Sequence, residues 1–183
     1  SVHYHEFENV DCITGDKQAL RNLLSSGRHK SVLVHFLDQE IWSILRLYAD
    51  KKKIIVWIHG AEIQPWWRRS FNFDSLEDRQ AAMKASDIRI NFWRSLFKSL
   101  HKNLHFVFVS RSFSKEVFQD LGISCPSSQY SIIHNPIDDD LFSWHEKSLD
   151  QRGKILSIRS FASPKYANDL TVKTILRLQK EEY

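Results

Sequence analysis

Apolar positions along this chain switch between two patterns, a spacing of three and four residues and short unbroken runs, which predicts helices interleaved with buried strands. From Asp16 onward, Ala19, Leu20, Leu23 and Leu24 share one helical face, with Asp16 placed to cap its start and Gly27 to end it in the left-handed region. Ser31-Val-Leu-Val-His-Phe-Leu37 follows as a strand. Its hydrophobicity is continuous rather than alternating, which predicts a sheet covered on both faces, and such sheets are usually parallel. Asp38 then caps a helix with Ile41, Trp42, Leu45 and Tyr48 on one face, and Lys53–Ile58 is the next buried strand, completing a βαβ unit.

A loop rich in aromatic and basic residues runs from His59 to Asp74. The long amphipathic stretch from Leu76 to Leu104 carries Ile88, Phe92, Leu96 and Leu100 on one stripe, its first half a candidate for a separate helix. His105–Val109 is a strand, and Ser110 leads into a short helix bearing Phe113, Val117, Phe118 and Leu121 and stopped by Gly122. Tyr130–Ile133 and Lys154–Ile158 continue the alternation, with a last helix starting near Asn168. The order predicts an α/β fold with a Rossmann-like doubly wound parallel sheet, in which ligands sit outside the carboxyl ends of the strands.

Composition narrows the class without naming a function. With 42% hydrophobic and 26% charged residues, the 183-residue chain is globular rather than disordered or fibrous. No apolar run reaches the length of a membrane span, and Ser1-Val-His-Tyr-His-Glu6 lacks the basic and apolar regions of a signal peptide. Cys12 and Cys125 are far apart with no CxxC spacing, and they read as thiols of a reducing compartment, which predicts a cytoplasmic protein. A net charge of +4 favours anionic partners in general. His3, His5 and Glu6 read as an edge strand or terminal segment rather than a metal cluster, and no metal site is expected.

At the strand ends, His59-Gly60-Ala61-Glu62 places an imidazole beside a glycine that lets backbone approach a ligand, although a histidine satisfied by neighbouring backbone fits the same residues. Val109-Ser110-Arg111-Ser112 reads first as a helix cap, a role that coexists with ligand contact. Arg159 and Lys165 stand ahead of a helix N-terminus, which suits a diphosphate and equally a solvated loop.

Taken in order, HisGlyAlaGlu at 59–62, ValSerArgSer at 109–112, IleIleHisAsnProIleAsp at 132–138 and the Arg159–Lys165 loop running into Leu170 resemble the two-domain glycosyltransferases of family 4, over most of the chain from about Ser31. The resemblance implies a GT-B fold and transfer of a sugar from a nucleotide-sugar donor to a glycan or lipid-linked acceptor. It implies retention at the anomeric carbon, and no cofactor or metal. His59 matches the histidine that touches the donor sugar, and Arg159 and Lys165 match the pair that grips the donor diphosphate. Gly60, Glu62, Ser110 and Asn135 are candidate cleft-lining residues. Ile158 and Tyr166 stand where the family usually has glycine, and so does Pro136.

The resemblance divides the chain into an acceptor-side domain over 1–135, incomplete at its start, a linker over 136–153, and the truncated beginning of a donor-binding domain over 154–183. The family's paired glutamates lie further into that domain, so the isolated chain is expected to be inactive. Trp66, Trp67, Arg68 and Arg69 combine indoles with guanidinium groups, a composition suited to an acceptor or membrane-facing surface, hence an expectation of peripheral contact with anionic membrane and of a role in cell-surface polysaccharide or glycolipid synthesis. The rival is a non-enzymatic module whose basic loops engage anionic membrane or nucleic acid, for which there is charge but no nucleic-acid motif. A hydrolase lacks the GxSxG elbow, and a sugar-nucleotide epimerase would share the fold but not this run of motifs.

Overall fold

A computed structural model describes residues 2–151, 154–156, 158–159 and 166–180, and the chain divides into two compact units, Ser1–Pro65 with Met83–Asn135 and Trp66–Ala82 with Pro136–Tyr183. The first unit opens with an antiparallel hairpin of β1 (His3–Phe7) and β2 (Val10–Thr14), so His3, His5 and Glu6 lie on a paired strand. Glu8 and Asn9 turn the hairpin with φ of 48° and 62°, the doubly left-handed geometry that matches strand twist in a two-residue loop. Among the described residues, no group of three or more metal-ligating side chains comes together.

Helix α1 (Lys17–Ser25) starts where Asp16 accepts hydrogen bonds from the backbone N–H groups of Gln18 and Ala19, each at 3.0 Å. Gly27, at φ +73°, turns the chain beyond its end. Strand β3 (Ser31–His35) follows, then α2 (Gln39–Leu45), capped by the Asp38 carboxylate on Ile41 N–H at 2.7 Å. Strand β4 (Lys53–Ile58), helix α3 (Leu76–Lys98), β5 (Leu104–Phe108), α4 (Arg111–Leu121) and β6 (Tyr130–Ile132) complete the alternation.

The four strands β3 to β6 are all parallel and lie in sequence order, with Val34 beside Val56, Val56 beside Phe106 and Phe106 beside Tyr130. Doubly winding a sheet requires the strand order to reverse, and among the described residues it does not. Right-handed crossovers that always add the next strand on the same side put their helices on one face. Accordingly Val34, Val56, Ile58, Phe106 and Phe108 are buried with residues of α2, α3 and α4 in a single core. On the opposite face Leu33 is 54% exposed and Ile55 and Trp57 are half-buried, while Val107 is buried. Among the described residues the helices thus cover one face fully and the other is covered only in part, an all-parallel α/β sheet compatible with a Rossmann-like fold. The continuous apolar runs remain, and their second faces are incompletely buried.

Helix α3 is unbroken from Leu76 to Lys98. Of the expected stripe, Leu96 is buried and Phe92 and Leu100 pack against the core, whereas Ile88 stays 66% exposed; Ser86, Ile90, Trp93 and Phe97 are buried as well. The aromatic residues widen the buried face, because Trp93 and Phe97 reach Phe106 with ring centroids 6.3 and 4.5 Å apart. Phe118 of α4 likewise meets Phe108 and Tyr130, each at 5.4 Å.

In the second unit, Trp66–Asn72 forms 3-10 turns and α5 spans Asn168–Leu178. Of the strand expected over Lys154–Ile158, the described residues 154–156 and 158 have no regular structure, and Leu156 is 84% exposed. A strand needs a neighbour for its N–H and C=O groups, and no described strand offers one there.

Two titrating groups report on packing. Partial burial pushes the Cys125 thiol up to about 11. His105, on the less covered face and hydrogen-bonded through Nε2 to Ser131 Oγ at 2.9 Å, is held below its ordinary value by burial and then by the Lys53 ammonium, against a smaller raising contribution from backbone at Ser128.

Three outcomes follow. Trp93→Ala lowers unfolding free energy by about 3–5 kcal/mol in urea titrations, the cost of a large aromatic cavity. Because folded His105 resists protonation, stability falls as pH drops from about 6.5 through the lowered native value, and His105→Gln flattens that part of the curve. Native Cys125 reacts with iodoacetamide at pH 8 more slowly than in the urea-unfolded chain, since the raised pKa leaves less thiolate.

Candidate functional site

Within the first unit, the carboxyl ends of β3, β4 and β5 deliver His35-Phe36, His59-Gly60 and Val109-Ser110 to one edge of the sheet. The β4 end is fixed most tightly. Gly60 sits at φ +131°, a conformation that side-chain-bearing residues rarely adopt, so the glycine of this motif is a backbone requirement. The Glu62 carboxylate turns back on the same segment, accepting from His59 N–H at 2.5 Å and from Gly60 N–H at 2.9 Å. Helix α3 holds the loop from the other side, through Trp93 Nε1–H donating to Glu62 O at 2.6 Å and Arg89 donating to Gln64 O at 2.9 Å.

The imidazole of His59 meets a second histidine. Nδ1 of His35 and Nε2 of His59 are 2.6 Å apart, so one donates and the other accepts, and the rings overlap with centroids 4.9 Å apart. Phe36 stacks on His59 at 4.8 Å and 21°. Phe36 reaches that position at φ +55° while leaving its ring 58% exposed. A bulky residue in the left-handed region costs on the order of 1–3 kcal/mol and persists only where its surroundings enforce it.

A cavity of about 250 Å³ opens beside this stack, walled by Phe36, Ile88 and Phe92, with Asp38, Glu40 and Glu62 against the single cation Arg89. Its charged lining is net negative. Asp38 is engaged in capping α2, Glu40 bridges Lys17 at 2.9 Å, and both Glu62 oxygens are on backbone N–H groups. The carboxylates are thereby fixed in place, each answered by a backbone N–H or a cation.

The remaining predicted residues fall in several places. Ser110 is the N-cap of α4, its hydroxyl accepting from Phe113 N–H at 3.1 Å. Asn135 is exposed at the end of the first unit, beyond His134, whose ring is 3.0 Å from Val109 O. Arg159 belongs to the second unit, with its guanidinium 5.9 Å over the Tyr166 ring, and Lys165 lies outside the described residues. Trp66, Trp67, Arg68 and Arg69 lie in the 3-10 segment of the second unit, where the two indoles meet edge-on at 6.4 Å. The strand ends therefore bring together His59, Gly60 and Glu62 of the predicted set, with Ser110 at the same edge of the sheet.

Sequence reasoning passed over His35, Phe36, Arg89 and Trp93. His35 had a signal: parallel register sets it beside Trp57, so it and His59, two positions further on, share a sheet face at the same edge. Phe36 had none, because nothing in a residue's identity announces a left-handed phenylalanine.

Glu62→Gln keeps the shape of the anchor but leaves one oxygen to serve two N–H groups. It lowers stability by about 1–3 kcal/mol in urea titrations and speeds amide hydrogen exchange at His59 or Gly60 while exchange in β5 is unchanged. Comparison with models of protein families, with curated proteins and with solved structures gives no match, and the reading of this site rests on its own geometry.

Proposed function

We propose that this chain belongs to an enzyme that moves a sugar from a nucleotide-sugar donor to an acceptor, with retention at the anomeric carbon and on a GT-B type scaffold. The observation that carries the reading is His59: an imidazole at the carboxyl end of a parallel strand, beside a left-handed glycine and on a backbone clamped by Glu62. That is where α/β sheets bind ligands, and a rigid backbone holds a hydrogen-bonding ring where a sugar hydroxyl can be met repeatedly in one geometry. The resemblance of the motifs at 59–62, 109–112 and 132–138 gives the same direction.

In this mechanism His59 orients the donor sugar through a hydroxyl, with His35 fixing its ring. Arg159 and Lys165 receive the diphosphate and stabilise charge developing on the leaving nucleotide, as electrostatic catalysts that need no proton transfer. Trp66 to Arg69 present the basic aromatic surface through which a lipid-linked acceptor or an anionic membrane is met, at the cytoplasmic side.

The nucleotide half is tested by titrating the intact enzyme with UDP, GDP and ADP. One of them binds, and Arg159→Ala weakens it by about tenfold or more, the value of a lost charge-assisted hydrogen bond. Unchanged affinity removes Arg159 from the donor site. In the intact enzyme His59→Ala lowers turnover by roughly 10²-fold at saturating donor. An undiminished rate removes His59 from the reaction.

A further inference from the structure

A hollow of about 340 Å³ lies in the first unit between α4 and β6, the edge strand of the described sheet, and none of its walls belongs to the recess beside Phe36. Arg111 and Lys115 stand one turn apart on α4 and are exposed, whereas Phe118, Tyr130 and Ile132 are half-buried, so the hollow has a cationic rim over an apolar floor. The Tyr130 ring is held edge-on against Phe108 at 5.9 Å and Phe118 at 5.4 Å. Among the described residues these walls hold no carboxylate, neither cation is ion-paired, and the hydroxyls of Ser127 and Tyr130 in the same walls have no hydrogen-bond partner in the protein. Like charges at this spacing destabilise a helix, and the first turn of α4 carries no acidic residue to offset them.

From this arrangement we infer that the hollow binds a small soluble phosphate monoester, its phosphate between Arg111 and Lys115 and its organic body on Tyr130 and Phe118. Two cations match the nearly double charge of a monoester phosphate at neutral pH, where a carboxylate or a sulfate monoester would answer only one. The guanidinium fork meets two phosphate oxygens at once, the ammonium adds a point charge, and the hydroxyls of Ser127 and Tyr130 are free to donate to the rest. Half-buried rings beneath the rim favour a cyclic body with an apolar face over inorganic phosphate. The hollow takes no residue from the strand ends, nor Arg159 or Lys165, so the inference stands apart from the glycosyl-transfer reading.

The 183-residue chain is titrated calorimetrically at neutral pH with phenyl phosphate, glucose 6-phosphate, uridine 5′-monophosphate, inorganic phosphate and phenyl sulfate, and is sedimented with phosphatidylcholine vesicles containing phosphatidic acid. At least one of the three cyclic monoesters binds, about tenfold tighter than inorganic phosphate, and phenyl sulfate binds more weakly than phenyl phosphate by a similar factor. Arg111→Gln and Lys115→Gln each weaken that monoester by about tenfold, the value of one charge-assisted hydrogen bond, whereas Lys180→Gln, the same loss of charge elsewhere, leaves it unchanged. Without ligand both variants melt no lower than the parent, since each removes a like-charge contact on α4, and this separates lost binding from lost fold. No binding by any monoester, equal binding of phenyl sulfate and phenyl phosphate, inorganic phosphate binding as tightly as the monoesters, or full affinity in Arg111→Gln overturns the inference. Binding to the vesicles alone also overturns it, because the phosphate held would then be a lipid headgroup. So does binding that Arg159→Ala abolishes and Arg111→Gln leaves intact, which belongs to the donor nucleotide.

Discussion

The site depends on one carboxylate. Glu62 takes the N–H groups of His59 and Gly60 together, at 2.5 and 2.9 Å, immediately after β4 has left the sheet. These donors have lost their ladder partners, and a charged acceptor answers them more strongly than a neutral one would. The clamp forces the chain through Gly60 at φ +131°, and the turn that follows returns Ile63 and Gln64 N–H to Gly60 O at 3.0 and 2.8 Å. Without it the imidazole of His59 would sit on a segment with several accessible conformations. With it the ring packs against His35 and Phe36.

That clamp is tied to the core by α3. Trp93 is fully buried against Phe106 and spends its one indole N–H on Glu62 O, so the residue that anchors the motif is itself anchored by the largest side chain of the core. Arg89, one turn earlier, does the same for Gln64 O. Packing and site geometry are therefore not independent: a change in how α3 lies on β5 moves the loop that carries His59. Ile88, at the edge of the buried face of α3, walls the cavity instead.

Much of this was legible in the residues. The caps at Asp16, Asp38 and Ser110 are local chemistry, one side chain reaching N–H groups two or three positions on, and the sequence contains all the terms. Strand β4 has the bounds its apolar run predicts. What failed were questions whose answers are not local. Whether a sheet is covered on one face or two depends on strand order, and Leu33 reads the same in either case. Whether Ile155 and Leu156 form a strand depends on a neighbour to pair with, which the run itself does not show. The left-handed Phe36 is imposed by tertiary context against its own preference, and such a conflict between local rule and observed backbone is where a functional constraint is most worth seeking.

Charge at the strand ends serves structure. A basic chain of net +4 carries, beside Phe36, a cavity with three carboxylates and one guanidinium in its walls. Solubility does not call for acids in a recess, and each of the three has a positional task, on α2, on Lys17 or on the His59 backbone. Their charge is thereby spent on structure: each acid is held where a backbone N–H or a cation answers it, and the recess keeps a fixed shape beside Phe36.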